Sequence, residues 1–223
     1  MLRLHLIITF AAVLLLSACA PTSSDVSGGT FAGGAVHTVV TGQTGYSRSQ
    51  GGSTFVSADP AIALGSGLGD LAQANSAVQR LAEQLPNPST DPARQLAGAA
   101  QQALAAGANA SSGRTLGTGS GDAAARARAA GLSGVVVEVS GTEMRIYGSG
   151  AATQVGGNRV VVALTSTLSL IDVSTGEVLA RSTCRENTRT RRAEVEAAPN
   201  GFVSRQMGVL AQACVASFTD RVR

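Results

Sequence analysis

The chain has 223 residues, with 17 arginines, no lysine and 14 acids, for a formal net charge of +3 at pH 7. So small an excess makes no nucleic-acid footprint by itself, and none is expected. Aromatic residues are 3% with no Trp, so any core must be built from Ala, Val and Leu; about 200 residues beyond a leader suffice for one such core.

Arg3 and the amino terminus precede an apolar run, Leu6 to Leu16, which ends in Leu16-Ser17-Ala18-Cys19. The run is too short to cross a ~30 Å hydrocarbon layer as a helix. A positive start, a short apolar run and then small residues make a secretory signal peptide. Leu16 to Cys19 resembles the bacterial lipobox. That resemblance implies acylation of the Cys19 thiol, cleavage before Cys19 and anchoring to a membrane by lipid. Ala20, in place of Asp, implies sorting to the outer membrane, facing the periplasm. One acyl chain anchors only marginally, so lasting attachment needs two or three. Residues 1–18 therefore read as signal peptide, 19–56 as a lipidated Gly/Ser-rich tether and 57–223 as a single α+β domain.

Within the tether, residues 35–41 (AVHTVVT) have the composition of a first strand. His37 is the only His beyond the leader, and a lone His in such a strand reads as a surface or core residue rather than a ligand. Gly65 to Gly69 (GSGLG) lacks the following Lys and the preceding strand of a phosphate loop. Residues 68–85 place Leu71, Ala74, Val78, Leu81 and Leu85 at helical spacing, and Pro86 and Pro88 stop the helix. Asp91 and Pro92 restart one as N-cap and first helical residue, running to about Ala106 and ending at Gly107. Residues 107–121 read as loop, with room for a short strand near Thr115. Asp122 caps a short helix, 123–130, ended by Gly131.

Four strands are then expected. Residues 134–140 (GVVVEVS) form a continuous apolar run, and 143–148 (EMRIYG) follow after Gly141-Thr142. Residues 159–172 and 177–191 alternate apolar and polar, the signature of strands covered on one face. Asp172 to Gly176 joins the last two as a hairpin, Asp172 bonding turn amides and Gly176 taking a left-handed conformation. Val203 to Val222 is helical by its spacing of three and four. The expected class is α+β: a mixed, largely antiparallel sheet with helices packed on one face, an extended β-hairpin and a C-terminal helix.

Beyond Cys19 the cysteines are Cys184 and Cys214, an even pair in an oxidising compartment. A disulfide is expected; the alternative is two buried free thiols. No C-x-x-C spacing supports redox catalysis or zinc, and no cofactor is implied. The charge concentrates at Arg181, Arg185, Arg189, Arg191 and Arg192. This cluster is either a solvated strand face or a docking stripe for an anionic partner, since guanidinium forks match phosphate and carboxylate.

The segments Tyr147-Gly-Ser-Gly-Ala-Ala-Thr-Gln154 and Leu168-Ser-Leu-Ile-Asp-Val-Ser-Thr-Gly-Glu-Val-Leu179 resemble the curli-secretion lipoprotein family (CsgG-like). The Ser-Thr-Gly-Glu hairpin is shared with related envelope lipoproteins, including activators of penicillin-binding proteins, so it marks fold more than task. The resemblance implies a helix-covered sheet. In curli-type channels two hairpins leave that sheet to build a membrane barrel. Here residues 181–196 carry repeated Arg and Glu, and an Arg on the lipid face costs about 2–4 kcal/mol at the bilayer midplane. The expectation is therefore a non-enzymatic envelope lipoprotein, an assembly or accessory factor that binds an envelope protein. The alternative is a subunit of a curli-like secretion channel. No catalytic constellation is present, and a hydrolase is a distant third.

Overall fold

A computed structural model describes residues 34–48, 77–149 and 158–222. The leader, Cys19, most of the tether, Gly65 to Gly69 and the first part of the helix expected over 68–85 lie outside the described residues. The described elements are β1 (Ala35–Thr41), β2 (Gly45–Ser47), α1 (77–84), α2 (Pro92–Gly107), β3 (Ser111–Gly119) and α3 (Ala123–Ala129). They continue with β4 (Val135–Ser149), β5 (Arg159–Asp172), β6 (Val178–Arg191), α4 (Arg192–Ala197) and α5 (Phe202–Val222).

Local signals place the helices. The Asp91 carboxylate accepts from the Arg94 amide at 3.1 Å, with Pro92 at the first helical position; both suit a helix start. Asp122 caps α3 in the same way through the Ala124 amide at 2.8 Å. At the end of α2 the left-handed residue is Asn109, not Gly107, with φ 50°. The Ala110 amide reaches back to the Ala105 carbonyl, and Asn tolerates that conformation because its side chain can bond locally.

The sheet is six-stranded, mixed and open, in the order β3-β1-β4-β5-β6, with β2 pairing β4 beyond the end of β1. β1 pairs in parallel with both β3 and β4, while β4–β5 and β5–β6 are long antiparallel ladders. β1 is thus an inner strand of the sheet. Within 107–121 the short strand expected near Thr115 is found, and it is longer than expected: residues 111–119 form edge strand β3. An edge beside a well-made neighbour needs only backbone pairing, which Gly, Ser and Thr supply without an apolar stripe. Two of the four expected strands are one. Gly141-Thr142 forms a bulge inside β4, where the pairing shifts between Ser140 and Glu143 and Gly141 takes φ 58°. The bulge is tied down by Thr142 Oγ1 and Ser166 Oγ, 2.9 Å apart and both buried.

Helices α1, α2 and α5 cover one face of the sheet. Val36 and Val40 of β1, Val135, Val137, Val139, Met144 and Ile146 of β4, and the even-numbered apolar residues of β5 meet Leu96, Ala97, Leu210 and Phe218 there. Among the described residues the opposite face has only α3 packed on it, at one end, where Ala123, Ala124 and Ala127 cover Val39, Val136 and Ile171.

Candidate functional site: the open face of the sheet

Because side chains alternate across a strand, the helix-free face can be read off the register. Beyond α3 it runs in rows across β4, β5 and β6: Glu138–Ser169–Arg181, Ser140–Thr167–Thr183, Glu143–Thr165–Arg185, Arg145–Ala163–Asn187, Tyr147–Val161–Arg189 and Ser149–Arg159–Arg191. The two-for-one bulge at Gly141 switches β4 from even to odd positions on this face. It thereby puts Arg145 and Tyr147 beside the arginines of β6.

Six arginines share the face. Arg145 pairs with Glu143 at 3.0 Å, and Arg181 donates to Ser169 Oγ at 3.1 Å. Among the described residues Arg159, Arg185, Arg189 and Arg191 make no ion pair, and all four are exposed. The other carboxylate of the face, Glu138, accepts from Thr41 Oγ1 at 2.9 Å. Half-buried Tyr147 and buried Val161 lie between the guanidinium groups. The structure therefore gathers Arg181, Arg185, Arg189 and Arg191 on one surface and adds Arg145 and Arg159. It separates Arg192, which opens α4 and pairs with Glu196 at 2.7 Å.

The two ends of this face differ. At the α3 end, Asp172 closes the β5–β6 hairpin, accepting from the Ser174 hydroxyl and from the amides of Ser174 and Thr175, at 2.8 and 3.0 Å for the amides. These bonds, the Ser174 hydroxyl foremost, hold its carboxyl below the usual carboxylate range. Gly176 takes φ 77° in the turn. Arg126 and Arg128 of α3 are engaged: Arg126 donates to the carbonyls of Val40, Gly119 and Gly117, and Arg128 to that of Val173. The shallow hollow lined by Leu116, Thr118 and Arg126 thus offers no free cation among the described residues. At the other end Arg159, Arg185, Arg189 and Arg191 have no such partner among the described residues.

On the helix-covered side, Cys184 of β6 and Cys214 of α5 form a disulfide, with Cα atoms 5.4 Å apart. Cys184 occupies the inward register of β6, and Cys214 lies on the buried stripe of α5 with Leu210, Ala211 and Phe218. The bridge fastens the last helix behind the strand that carries most of the arginines. His37 is a packing residue of β1, bonded between Ser133 and Arg114.

The chain matches no protein-family model and no curated protein. Among solved structures, it is similar to a minor lipoprotein from Acinetobacter baumannii at 14% identity, over 56% of this chain and 82% of that one, with a TM-score of 0.35. The PelC dodecamer from Paraburkholderia phytofirmans is similar at 16% identity over 86% and 90%, TM-score 0.29. A candidate lipoprotein from Caulobacter crescentus CB15 is similar at 10% identity over 65% and 93%, TM-score 0.32. These are remote likenesses, and the fold of this chain rests on its own topology.

Proposed function

We propose that this chain is a non-enzymatic lipoprotein of the bacterial envelope, anchored through lipid on Cys19 and facing the periplasm at the outer membrane. Its domain, similar to that of curli-secretion lipoproteins, serves as a partner-binding assembly or accessory factor. The observation that carries the binding role is the open sheet face. A helix layer covers one side of the sheet, whereas the other presents four arginines with no ion pair among the described residues. Planar guanidinium groups without internal partners are ready to form paired hydrogen bonds with an outside anion. The leader with its lipobox-like end supplies the address.

The anchor is tested by Cys19→Ser. That variant is expected to leave the detergent phase on phase separation and to accumulate as unprocessed precursor. Normal processing and sorting of the variant would refute the reading.

A further inference from the structure

We propose that the arginine-bearing half of the open face docks on the anionic headgroup layer of the membrane that holds the anchor. This rests on the lipid-anchored reading above and names the partner of that surface.

The arginines form a two-dimensional array rather than a groove. Arg185, Arg189 and Arg191 stand along β6, Arg159 opposite Arg191 on β5, and Arg145 one strand farther on β4. Residues two apart on a strand are separated by about 7 Å, and neighbouring strands by about 5 Å. The cations therefore spread over three neighbouring strands, matched by a plane of phosphates better than by a single bound anion. The acids of this face are already committed: Glu143 to Arg145 and Glu138 to Thr41. The face thus carries a net positive charge. Tyr147 sits among the arginines, an aromatic ring with a polar tip, the type of side chain that settles at a bilayer interface.

Chain length agrees. Sixteen steps separate Cys19 from Ala35, and at about 3.3–3.6 Å per residue they span at most ~55 Å. β4, with 15 residues, is itself about 50 Å long by the usual strand rise. The lipid thus holds the sheet within about one molecular length of the bilayer. Ala35 begins β1 at the α3 end, away from Arg159 and Arg191. The arginines therefore meet the headgroups when the sheet lies along the membrane plane. Exposed cations near an anionic surface attract it within a Debye length, about 8 Å at physiological ionic strength.

The experiment uses the full protein carrying Tyr147→Trp, the only Trp it then contains, reconstituted in bilayers of phosphatidylcholine alone or with phosphatidylglycerol. Trp emission should shift to the blue on the anionic bilayers, and salt should reverse the shift. Each arginine neutralised among Arg185→Gln, Arg189→Gln and Arg191→Gln should lower the docked-to-undocked ratio about fivefold, which corresponds to ~1 kcal/mol. Asn187→Trp on the same face gives the same readout if the Tyr147→Trp variant does not fold. Equal emission on the two bilayers overturns the proposal. So does a shift that needs only added protein without lipid, which assigns the face to a second copy, or one produced only by an acidic polypeptide. Mass analysis of Cys19 in the same sample reads the anchor separately, so loss of lipidation and loss of docking are distinguished.

Discussion

His37 is held by both ring nitrogens. Nδ1 accepts from the Arg114 amide at 3.0 Å, which leaves the proton on Nε2 to be donated to the Ser133 carbonyl at 3.1 Å. The ring thereby links β1, edge strand β3 and the residues leading into β4. Gly113 makes room for it: a Cβ there would stand 2.3 Å from Nδ1. His37→Ala removes both bonds, and at a net worth of about 0.5–1.5 kcal/mol each their loss should destabilise the fold by about 1–3 kcal/mol. Gly113→Ala should displace the ring and lose the same bonds, so the double variant should be less destabilised than the sum of the singles. Urea denaturation midpoints measure all three; strict additivity would contradict the shared-bond account. Asp172 makes a pH-dependent prediction. Its folded pKa lies below the ordinary value of 3.8, so it stabilises the fold above that pH. This contribution fades as pH falls through the lower, folded value. Asp172→Asn keeps an acceptor for the turn amides but removes the charge. The variant should be less stable than the parent at pH 7, and the difference should shrink towards pH 3 in a pH series of denaturation midpoints.

At the scale of elements, two contacts fix where helices sit on the sheet. Gly148 of β4 meets α1 so closely that a Cβ would lie 2.8 Å from the Gln79 amide nitrogen and 3.0 Å from its Cα. The Gly148 amide also donates to Gln79 Oε1 at 3.2 Å. The obstacle is backbone, so Gly148→Ala must push α1 off the strand; a loss of about 1–3 kcal/mol, usual for overpacking, is expected in the denaturation midpoint. The Cys184–Cys214 bridge closes a segment with a separation of 30 residues, which corresponds to roughly 3–4 kcal/mol on the chain-entropy model. Replacing both cysteines by Ala should lower stability by about that amount, and reductant should then have no further effect on the midpoint. These elements differ in how legible they were. Asp91, Pro92 and Asp122 announce helix starts because capping is local chemistry. β5, β6 and α5 follow from alternation or helical spacing over long runs. β3 showed only as room for a short strand near Thr115, because its full pairing with β1 is a tertiary fact that a Gly/Ser/Thr string does not encode. β2 is too short for any period to register, and α4 lacks a side-chain cap at Arg191. The β4 bulge was hidden because Gly141 reads equally as turn or bulge. Missing it concealed that Arg145 and Tyr147 share the arginine face.

At the scale of the whole molecule, the placement of the β5–β6 hairpin bears on the proposed accessory role and on its alternative, a pore subunit. In a barrel, one side of such a hairpin would face lipid. Here the inward side of β5 and β6 belongs to the core: Val160, Val162, Leu164, Leu168 and Leu170 are buried beneath the helix layer, and Cys184 is bonded to α5. Freeing the hairpin would expose that apolar row and break the bridge's geometry. The opposite side carries Arg159, Arg181, Arg185, Arg189 and Arg191. Turned to lipid, each arginine at the bilayer midplane would cost about 2–4 kcal/mol, less near the interfaces, and a ring of subunits would repeat the cost. As the hairpin lies in this structure, neither side offers a lipid-facing wall for a barrel, and a charged face beside a covered one suits the proposed docking on headgroups. The purified protein added to planar bilayers is accordingly expected to give no conductance steps, including under reducing conditions that release α5 from β6. Stable, repeatable steps would show that this hairpin leaves the sheet and would return the channel reading to first place.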